Sequence, residues 1–166
     1  WWQRILWLML GGLNMGCNHL FFQPDGVVYS NPAEAKIPYT EAFLDSTDGV
    51  KIHAWWLKPL APSRGAVVLH FHGNAQNMTA HAAYVAWLTT AGYDVVTFDY
   101  RGYGRSTGVP DRDGAILDGT RVIAWIQAEP GLRDHQLVVL GQSLGGALAL
   151  ASLQLSGTKP ALTDRK

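Results

Sequence analysis

The feature that most constrains this chain is the pentapeptide Gly-Gln-Ser-Leu-Gly at residues 141–145. The residues before it, 137–140, are apolar and typical of a β-strand, whereas residues 147–155 are mostly small or apolar, as in a packed helix. A serine between a strand and a helix, with glycine two positions away on each side, is typical of a sharp turn that exposes the hydroxyl group. The pattern therefore predicts that Ser143 is a nucleophile.

Gly141 and Gly145 have a physical role in this prediction. A turn of this kind forces strained backbone angles and brings the helix close to the strand, so a Cβ at either position would clash. The alternative is an ordinary glycine-rich turn in which the serine only caps the helix. The strand and the helix on either side favour the nucleophile.

A second turn follows the buried strand that residues 66–71 predict, and its sequence is His-Gly-Asn. In a hydrolase, the backbone N–H of Asn74 and that of Leu144 would donate to a carbonyl oxygen as it becomes negatively charged. Both residues are therefore predicted to form the oxyanion hole through their backbones. The side chains of His70 and His72 are expected to fill space in the strand and its turn.

A third motif, Asp-Tyr-Arg-Gly-Tyr-Gly-Arg-Ser, occupies residues 99–106 at the end of another predicted strand. The His-Gly-Asn turn, this loop and the serine pentapeptide, in this order and at this spacing, resemble the α/β-hydrolase superfamily. More narrowly, they resemble the Bem46-like serine hydrolases, whose members also carry a phrase like that of residues 48–56. The resemblance covers about residues 20–155.

The resemblance implies the fold and the chemistry. The expected fold class is α/β, with a doubly wound, mostly parallel sheet of the α/β-hydrolase type that is incomplete at the C-terminus. The expected reaction is hydrolysis of a small-molecule ester or amide through an acyl-enzyme on Ser143, with no cofactor and no metal. In such a family the loop after Asp99 is architectural, so Asp99 and Arg101 are expected to be a structural pair.

The residues that would complete a catalytic triad are missing from the end of the chain. The stretch after Ser143 holds one acidic residue, Asp164, and no histidine. In α/β-hydrolases the acid and the histidine both follow the serine in the sequence. The expectation is that the chain is the amino-terminal portion of a longer hydrolase. The alternative is a catalytically inactive, membrane-attached remnant or binding domain.

Four further elements are predicted from periodicity and turn residues. Residues 39–45 and 51–58 indicate two antiparallel strands, and residues 76–91 and 111–128 indicate helices. Trp87 is expected to face the sheet. Charge adds a limit on partners, because 13 basic residues against 13 acidic ones argue against a nucleic-acid partner.

Residues 1–17 form a segment separate from the domain predicted over residues 18–166. An apolar stretch behind Arg4 suits the core of a signal peptide, and Cys17 follows a glycine at its end. This resembles a bacterial lipoprotein box, in which the cysteine is lipidated; an uncleaved signal anchor and an incidental buried thiol are the alternatives. The first two predict attachment to a membrane, in the bacterial cell envelope.

Overall fold

Strands and helices alternate along most of the chain, which the computed structural model describes over residues 21–159. The strands are β1 (Gln23–Pro24), β2 (Tyr39–Asp45), β3 (Lys51–Leu57), β4 (Ala66–Phe71), β5 (Ala75–Gln76), β6 (Asp94–Phe98) and β7 (Gln136–Gly141). The helices are α1 (Met78–His81), α2 (Ala83–Ala86), a 3-10 helix (Trp87–Ala91), α3 (Arg112–Ala128) and α4 (Leu144–Ser156).

Five strands form one sheet in the order β2-β3-β6-β4-β7. The pairs β2–β3 and β3–β6 are antiparallel, and the pairs β6–β4 and β4–β7 are parallel. The predicted strand pair at the start of the sheet is confirmed, with its turn at Gly49, where φ is 82°. The α/β class and the mostly parallel sheet are also confirmed, because β2, β6, β4 and β7 all run in one direction and, over the residues described, β3 alone runs against them. A separate two-stranded parallel pair joins β1 to β5.

Helices cover both faces of this sheet because its central strands are apolar on both sides. Every residue of β4 and of β6 is buried. One face packs in a large cluster with α3 and α4, and the other packs in a smaller cluster with α1 and α2. Near-continuous apolar runs of this kind belong to parallel strands with helices on both faces. This arrangement is the doubly wound one that the sequence predicts.

The helix predicted over residues 76–91 is broken into α1, α2 and the 3-10 helix. The expectation for Trp87 is wrong, since this residue is 62% exposed and its indole N–H donates to Tyr84 O at 3.0 Å. Val85 and Leu88 pack against the sheet, and this i, i+3 pair defines the inward side of the segment. Trp87 does not lie on that side and is exposed instead. The segment ends at Gly92, whose φ of 87° is a left-handed helix end.

A buried ion pair fixes α3 to the loop that follows β6. The guanidinium of Arg101 donates from Nε and Nη2 to the carboxylate of Asp118, with the shortest contact 2.8 Å, and donates from Nη1 to Asp48 at 2.7 Å. Asp118 is fully buried. A charge pair in such a place is costly to break, because the remaining partner would be buried without compensation.

The predictions for the 1–17 segment and for Cys17 concern residues that lie outside the described part of the chain. The boundary at residue 18 lies outside it as well. None of the helices within residues 21–159 combines the length and the apolar composition that a bilayer crossing demands.

Candidate active site

Ser143 lies at the turn between β7 and α4, at the edge where the parallel strands end. Its backbone has φ 52° and ψ −118°, a positive-φ conformation that residues other than glycine seldom adopt, and the residue is exposed. Two backbone hydrogen bonds hold the turn: Gln142 N–H donates to Phe71 O at 2.9 Å, and Gly145 N–H donates to Gln142 O at 2.9 Å. Strain of this kind persists only where the surrounding structure enforces it, and it clusters at functional sites.

The two flanking glycines allow the close approach that the sequence predicts. A Cβ at Gly145 would lie 2.2 Å from Phe71 O and 2.6 Å from His72 O. A Cβ at Gly141 would lie 2.4 Å from the Cα of Gly146. These distances are far below van der Waals contact, and backbone atoms cannot move aside as a flexible side chain can. Helix α4 therefore begins in direct contact with the end of β4.

Asn74 and Leu144 lie just beyond the ends of two neighbouring strands. The last pair in the register of β4 and β7 joins Phe71 to Gly141, and each of the two residues follows its strand at the same short distance along the chain. Within residues 21–159, neither of their backbone N–H groups donates a hydrogen bond to another backbone or side-chain acceptor. The oxyanion-hole role of these two amides stays a prediction, and the fold brings them to the same edge.

The side chain of Asn74 fixes the turn that carries its amide. Its Oδ1 accepts from Tyr103 Oη at 2.9 Å and from Gln23 N–H at 3.2 Å, and its Nδ2 donates to Phe21 O. The turn is thus tied to the loop after β6 and to the segment that leads into β1. With its side chain held on three sides, the peptide of Asn74 has little freedom to rotate.

His70 and His72 are both completely buried, as the sequence predicts. The imidazole of His70 contacts Thr97 Oγ1 through Nδ1 at 3.3 Å, and Nδ1–H of His72 donates to Gly73 O at 2.7 Å. Burial lowers the pKa of each histidine to about 4, so both rings are neutral near pH 7. Neither one contacts Ser143 by a hydrogen bond.

His81, which the sequence analysis did not single out, lies between the two turns. Its Nδ1 is 2.9 Å from Gln142 Oε1 and its Nε2 is 2.9 Å from Ala75 O. Gly73 packs beneath it, since a Cβ there would lie 3.2 Å from the His81 ring. The contact with Gln142 joins residues that are 61 positions apart. No local pattern in the sequence marks such a contact.

The predicted pairing of Asp99 with Arg101 is wrong. The side chain of Arg101 extends towards α3 and pairs with Asp118 and Asp48 instead. Asp99 Oδ1 accepts from Met78 N–H at 2.7 Å, which anchors the start of α1. Asp99 and Arg101 are both buried and both make structural contacts, as expected, but they contact other residues and not each other.

The hydroxyl of Ser143 has no hydrogen-bond partner among residues 21–159, and in particular no histidine. Across the same part of the chain, no three His, Cys, Asp or Glu side chains converge as a metal site requires. An apolar cavity of about 360 Å³ lies beside the serine turn, lined in part by Phe21, Ile116, Leu144 and Leu148. The cavity reaches the serine turn at Leu144, the residue after Ser143, and its mostly apolar lining can accept an apolar group.

The contact between α4 and β4 gives a prediction for the glycines. In Gly145→Ala, the new methyl group must push α4 away from Phe71 O, which we expect to lower the free energy of unfolding by about 1–3 kcal/mol. Gly146→Ala is the matched control, because its Cβ would meet no atom nearer than 3.8 Å. Urea unfolding of both variants measures the difference, and equal stabilities would contradict the close contact.

The two buried histidines give a prediction for pH. Histidine in an unfolded chain has a pKa of about 6.5, so the unfolded state binds more protons than the folded state between that value and a pH of about 4. Stability is therefore complete above this window and falls as the pH drops through it, by about 3 kcal/mol per histidine. His70→Asn should make the loss on acidification smaller in urea unfolding. An unchanged pH profile in this variant would contradict the assignment.

Comparison with known proteins identifies the family. A family model described as "Serine aminopeptidase, S33" matches residues 61–161. The uncharacterized protein YfhR of Salmonella typhi is 40% identical over 139 residues, covering 80% of this chain and 46% of that protein. Protein bem46 of Schizosaccharomyces pombe is 32% identical over 123 residues, covering 72% of this chain and 41% of that protein.

Solved structures agree with the sequence relatives. The Pyrococcus furiosus esterase Pf2001 superposes with a TM-score of 0.68 at 26% identity, covering 79% of this chain and 52% of that one. The chain thus spans about half the length of the proteins it matches. With the serine turn, the His-Gly-Asn turn and the sheet order in place, the chain belongs to the α/β-hydrolase family, within the group of YfhR and Bem46.

Proposed function

We propose that the complete protein is a serine hydrolase that cleaves carboxylic esters through an acyl-enzyme on Ser143. The observation that carries the proposal is the exposed Ser143 with φ 52°, on a turn where Gly145 lets α4 approach β4 and Gly141 lets β7 approach α4. An ordinary helix cap has no need of this backbone strain, because capping serines adopt extended angles. The membership of the family supports the hydrolytic chemistry.

The proposed reaction runs in two steps. Ser143 Oγ attacks the carbonyl carbon while its proton passes to a general base, and the carbonyl oxygen becomes an oxyanion that the N–H groups of Asn74 and Leu144 bind. Collapse of this intermediate breaks the ester bond, and the alcohol leaves with the proton. Water then attacks the acyl-enzyme in the same way and releases the acid. Each amide donor contributes about 3 kcal/mol to the stabilisation of the transition state.

The general base is the part of this proposal that the described residues do not supply. A serine hydroxyl at its ordinary pKa is a weak nucleophile, and an imidazole must lie within hydrogen-bond reach to activate it. His70, His72 and His81 lie near the turn, but their nitrogens are buried or face other partners. We therefore assign the base to a histidine outside residues 21–159.

One observation favours esters over amides as substrates. The superposed Pyrococcus furiosus protein is an esterase. The cavity of about 360 Å³ beside Leu144 is lined mostly by apolar side chains, so it suits an apolar acyl group, which an ester and an amide share. Amides are the alternative substrate class within the same mechanism, since the family model that matches is described by an aminopeptidase activity.

A catalytically inactive, membrane-attached domain is the second candidate function. The observation that favours it is that Ser143 has no histidine partner within the described part of the chain. Such a protein would keep the exposed serine turn as a remnant and would not react with electrophiles that trap activated serines.

The two candidates differ in one measurement. We expect a fluorophosphonate probe to label the complete protein at Ser143, and the protein to hydrolyse p-nitrophenyl butyrate faster than an amino-acid nitroanilide. Ser143→Ala should abolish labelling and lower ester turnover on the order of 10⁴-fold or more, because the covalent step is lost. Ser156→Ala, on the same helix but far from the turn in sequence, is the control and should behave as the wild type.

The outcomes separate cleanly. A folded wild-type protein that does not label favours the inactive domain. Labelling that survives in Ser143→Ala places the nucleophile elsewhere and contradicts the proposed mechanism. Faster turnover of the nitroanilide than of the ester would keep Ser143 but overturn the substrate class.

We also propose that the protein is attached to a membrane of the bacterial envelope through a lipid on Cys17, the last residue of the 1–17 segment. The sequence pattern alone supports this. In cells given a radiolabelled fatty acid, the wild-type protein should carry the label and Cys17→Ser should not, whereas Asn18→Ser should keep it. Membrane association without label would favour the signal anchor, and a protein absent from the membrane fraction would contradict the proposal.

A further inference from the structure

His81 forms hydrogen bonds both to the serine turn and to the residue that directly follows the His-Gly-Asn turn. Its Nδ1 reaches Gln142 Oε1 and its Nε2 reaches Ala75 O, each at 2.9 Å. Gln142 precedes Ser143, and Ala75 follows Asn74. The imidazole therefore spans the gap between the chain segments that carry the nucleophile and the two amide donors.

The bridge keeps two hydrogen bonds both in the charged ring and in the neutral tautomer that carries its proton on Nε2. An imidazolium ring would donate to both oxygens. A neutral ring would donate from Nε2 to Ala75 O, and the Gln142 amide, turned by half a rotation, would donate its NH₂ to the Nδ1 lone pair. The link between the turns thus does not depend on the charge of His81.

The ring itself is held in place from several directions. His81 is 8% exposed, and its ring stacks on that of His72 with centroids 5.3 Å apart. Gly73 leaves the room for this, since a Cβ there would press on the His81 ring at 3.2 Å. Helix α1, which ends at His81, starts at a cap where the Asn77 side chain accepts from Thr79 N–H. A bridge from a rigid element can transmit position between its ends.

A backbone hydrogen bond joins the serine turn to the end of β4, and the His81 bridge adds a contact further along the chain. Gln142 N–H donates to Phe71 O, which sets the distance between the strand ends. Beyond that bond, Ala75 is exposed and follows the turn on the solvent side, where no other described hydrogen bond ties it to the serine turn. In the described structure, His81 therefore supplies the hydrogen-bonded link between Ala75 and the serine turn.

We propose that His81 is a positioning residue that fixes the two amide donors of the oxyanion hole relative to Ser143. This rests on the proposed function of Ser143 and deepens it. His81 does not contact the substrate or accept the serine proton; it acts through Gln142 and Ala75. A displacement of about 1 Å in a catalytic group can cost on the order of 10²-fold in rate, so a link of this kind affects catalysis without touching the reacting atoms.

Three variants of the complete protein test the two ends of the bridge. His81→Phe keeps a stacking ring and removes both hydrogen bonds. His81→Asn places an amide near the Nδ1 position and can keep the bond to Gln142, whereas His81→Gln places an amide near Nε2 and can keep the bond to Ala75. We expect kcat for an ester to fall about 10–100-fold in His81→Phe, with KM changed less than about threefold, and to recover in part in the two amide variants.

A transition-state analogue supplies a readout that a purely structural residue would not move. An alkylboronic acid forms a tetrahedral adduct on the serine and places an oxygen in the oxyanion hole. Its inhibition constant should rise in His81→Phe in parallel with the loss of kcat/KM, because both depend on the same two donors. Tyr84→Phe is the matched control, since this exposed ring neighbours His81 at 5.9 Å and its hydroxyl makes no hydrogen bond in the described structure.

Failure of this inference is distinguishable from failure of the proposed function. If the wild type does not react with fluorophosphonate, the role of Ser143 is wrong. If the wild type reacts and His81→Phe keeps both its kcat and its boronate affinity, the role of His81 is wrong. A kcat loss without a change in boronate affinity also overturns it. Urea unfolding should show that His81→Phe remains folded, because Gln142 is half-buried and Ala75 is exposed, so water can replace the lost donors.

Discussion

The contact between the first turn of α4 and the end of β4 is the constraint on which the rest of the site depends. Gly145 has no Cβ, so the helix backbone reaches the carbonyl oxygens of Phe71 and His72. That approach holds Ser143 in its positive-φ conformation, with the residue exposed at the surface. It also brings the first amide of α4 to the same edge as the turn after β4. One backbone contact thus brings the nucleophile and the amide of Leu144 to this edge, and the side chain of Asn74 holds the turn that carries the other amide.

A second layer of buried polar contacts keeps the loops around this contact in place. Asp99 anchors the start of α1 through Met78 N–H, and Arg101 joins the following loop to α3 through Asp118. These charged groups lie where water cannot compensate for a lost partner, so they tolerate few alternative arrangements. Loops at the carboxyl ends of strands are otherwise the most mobile parts of an α/β fold. The Arg101–Asp118 ion pair and the hydrogen bond of Asp99 therefore hold these loops more rigidly than the loop sequences alone would.

What the sequence predicted well was what local physics determines. The strand, glycine and serine pattern around Ser143 forecast a compressed turn, and alternation of apolar runs forecast the doubly wound sheet. Contacts between distant segments were not predictable in this way. Arg101 pairs with Asp118 on α3, and His81 meets Gln142 across 61 positions. No periodicity encodes such distances, and the outward turn of Trp87 likewise followed from which neighbours took the inward face.

Within residues 21–159, the two buried histidines of the strand and turn beside the proposed oxyanion hole supply it with no positive charge. His70 and His72 are neutral near pH 7 because burial lowers the pKa of each to about 4. The favourable field must then come from backbone dipoles: the N–H groups of Asn74 and Leu144, and the amino end of α4, which points its dipole at the same place. Dipoles lose their effect with small changes of distance and angle more quickly than a full charge does. A site built on them needs its donors held rigidly, and the close packing at Gly145 supplies that rigidity.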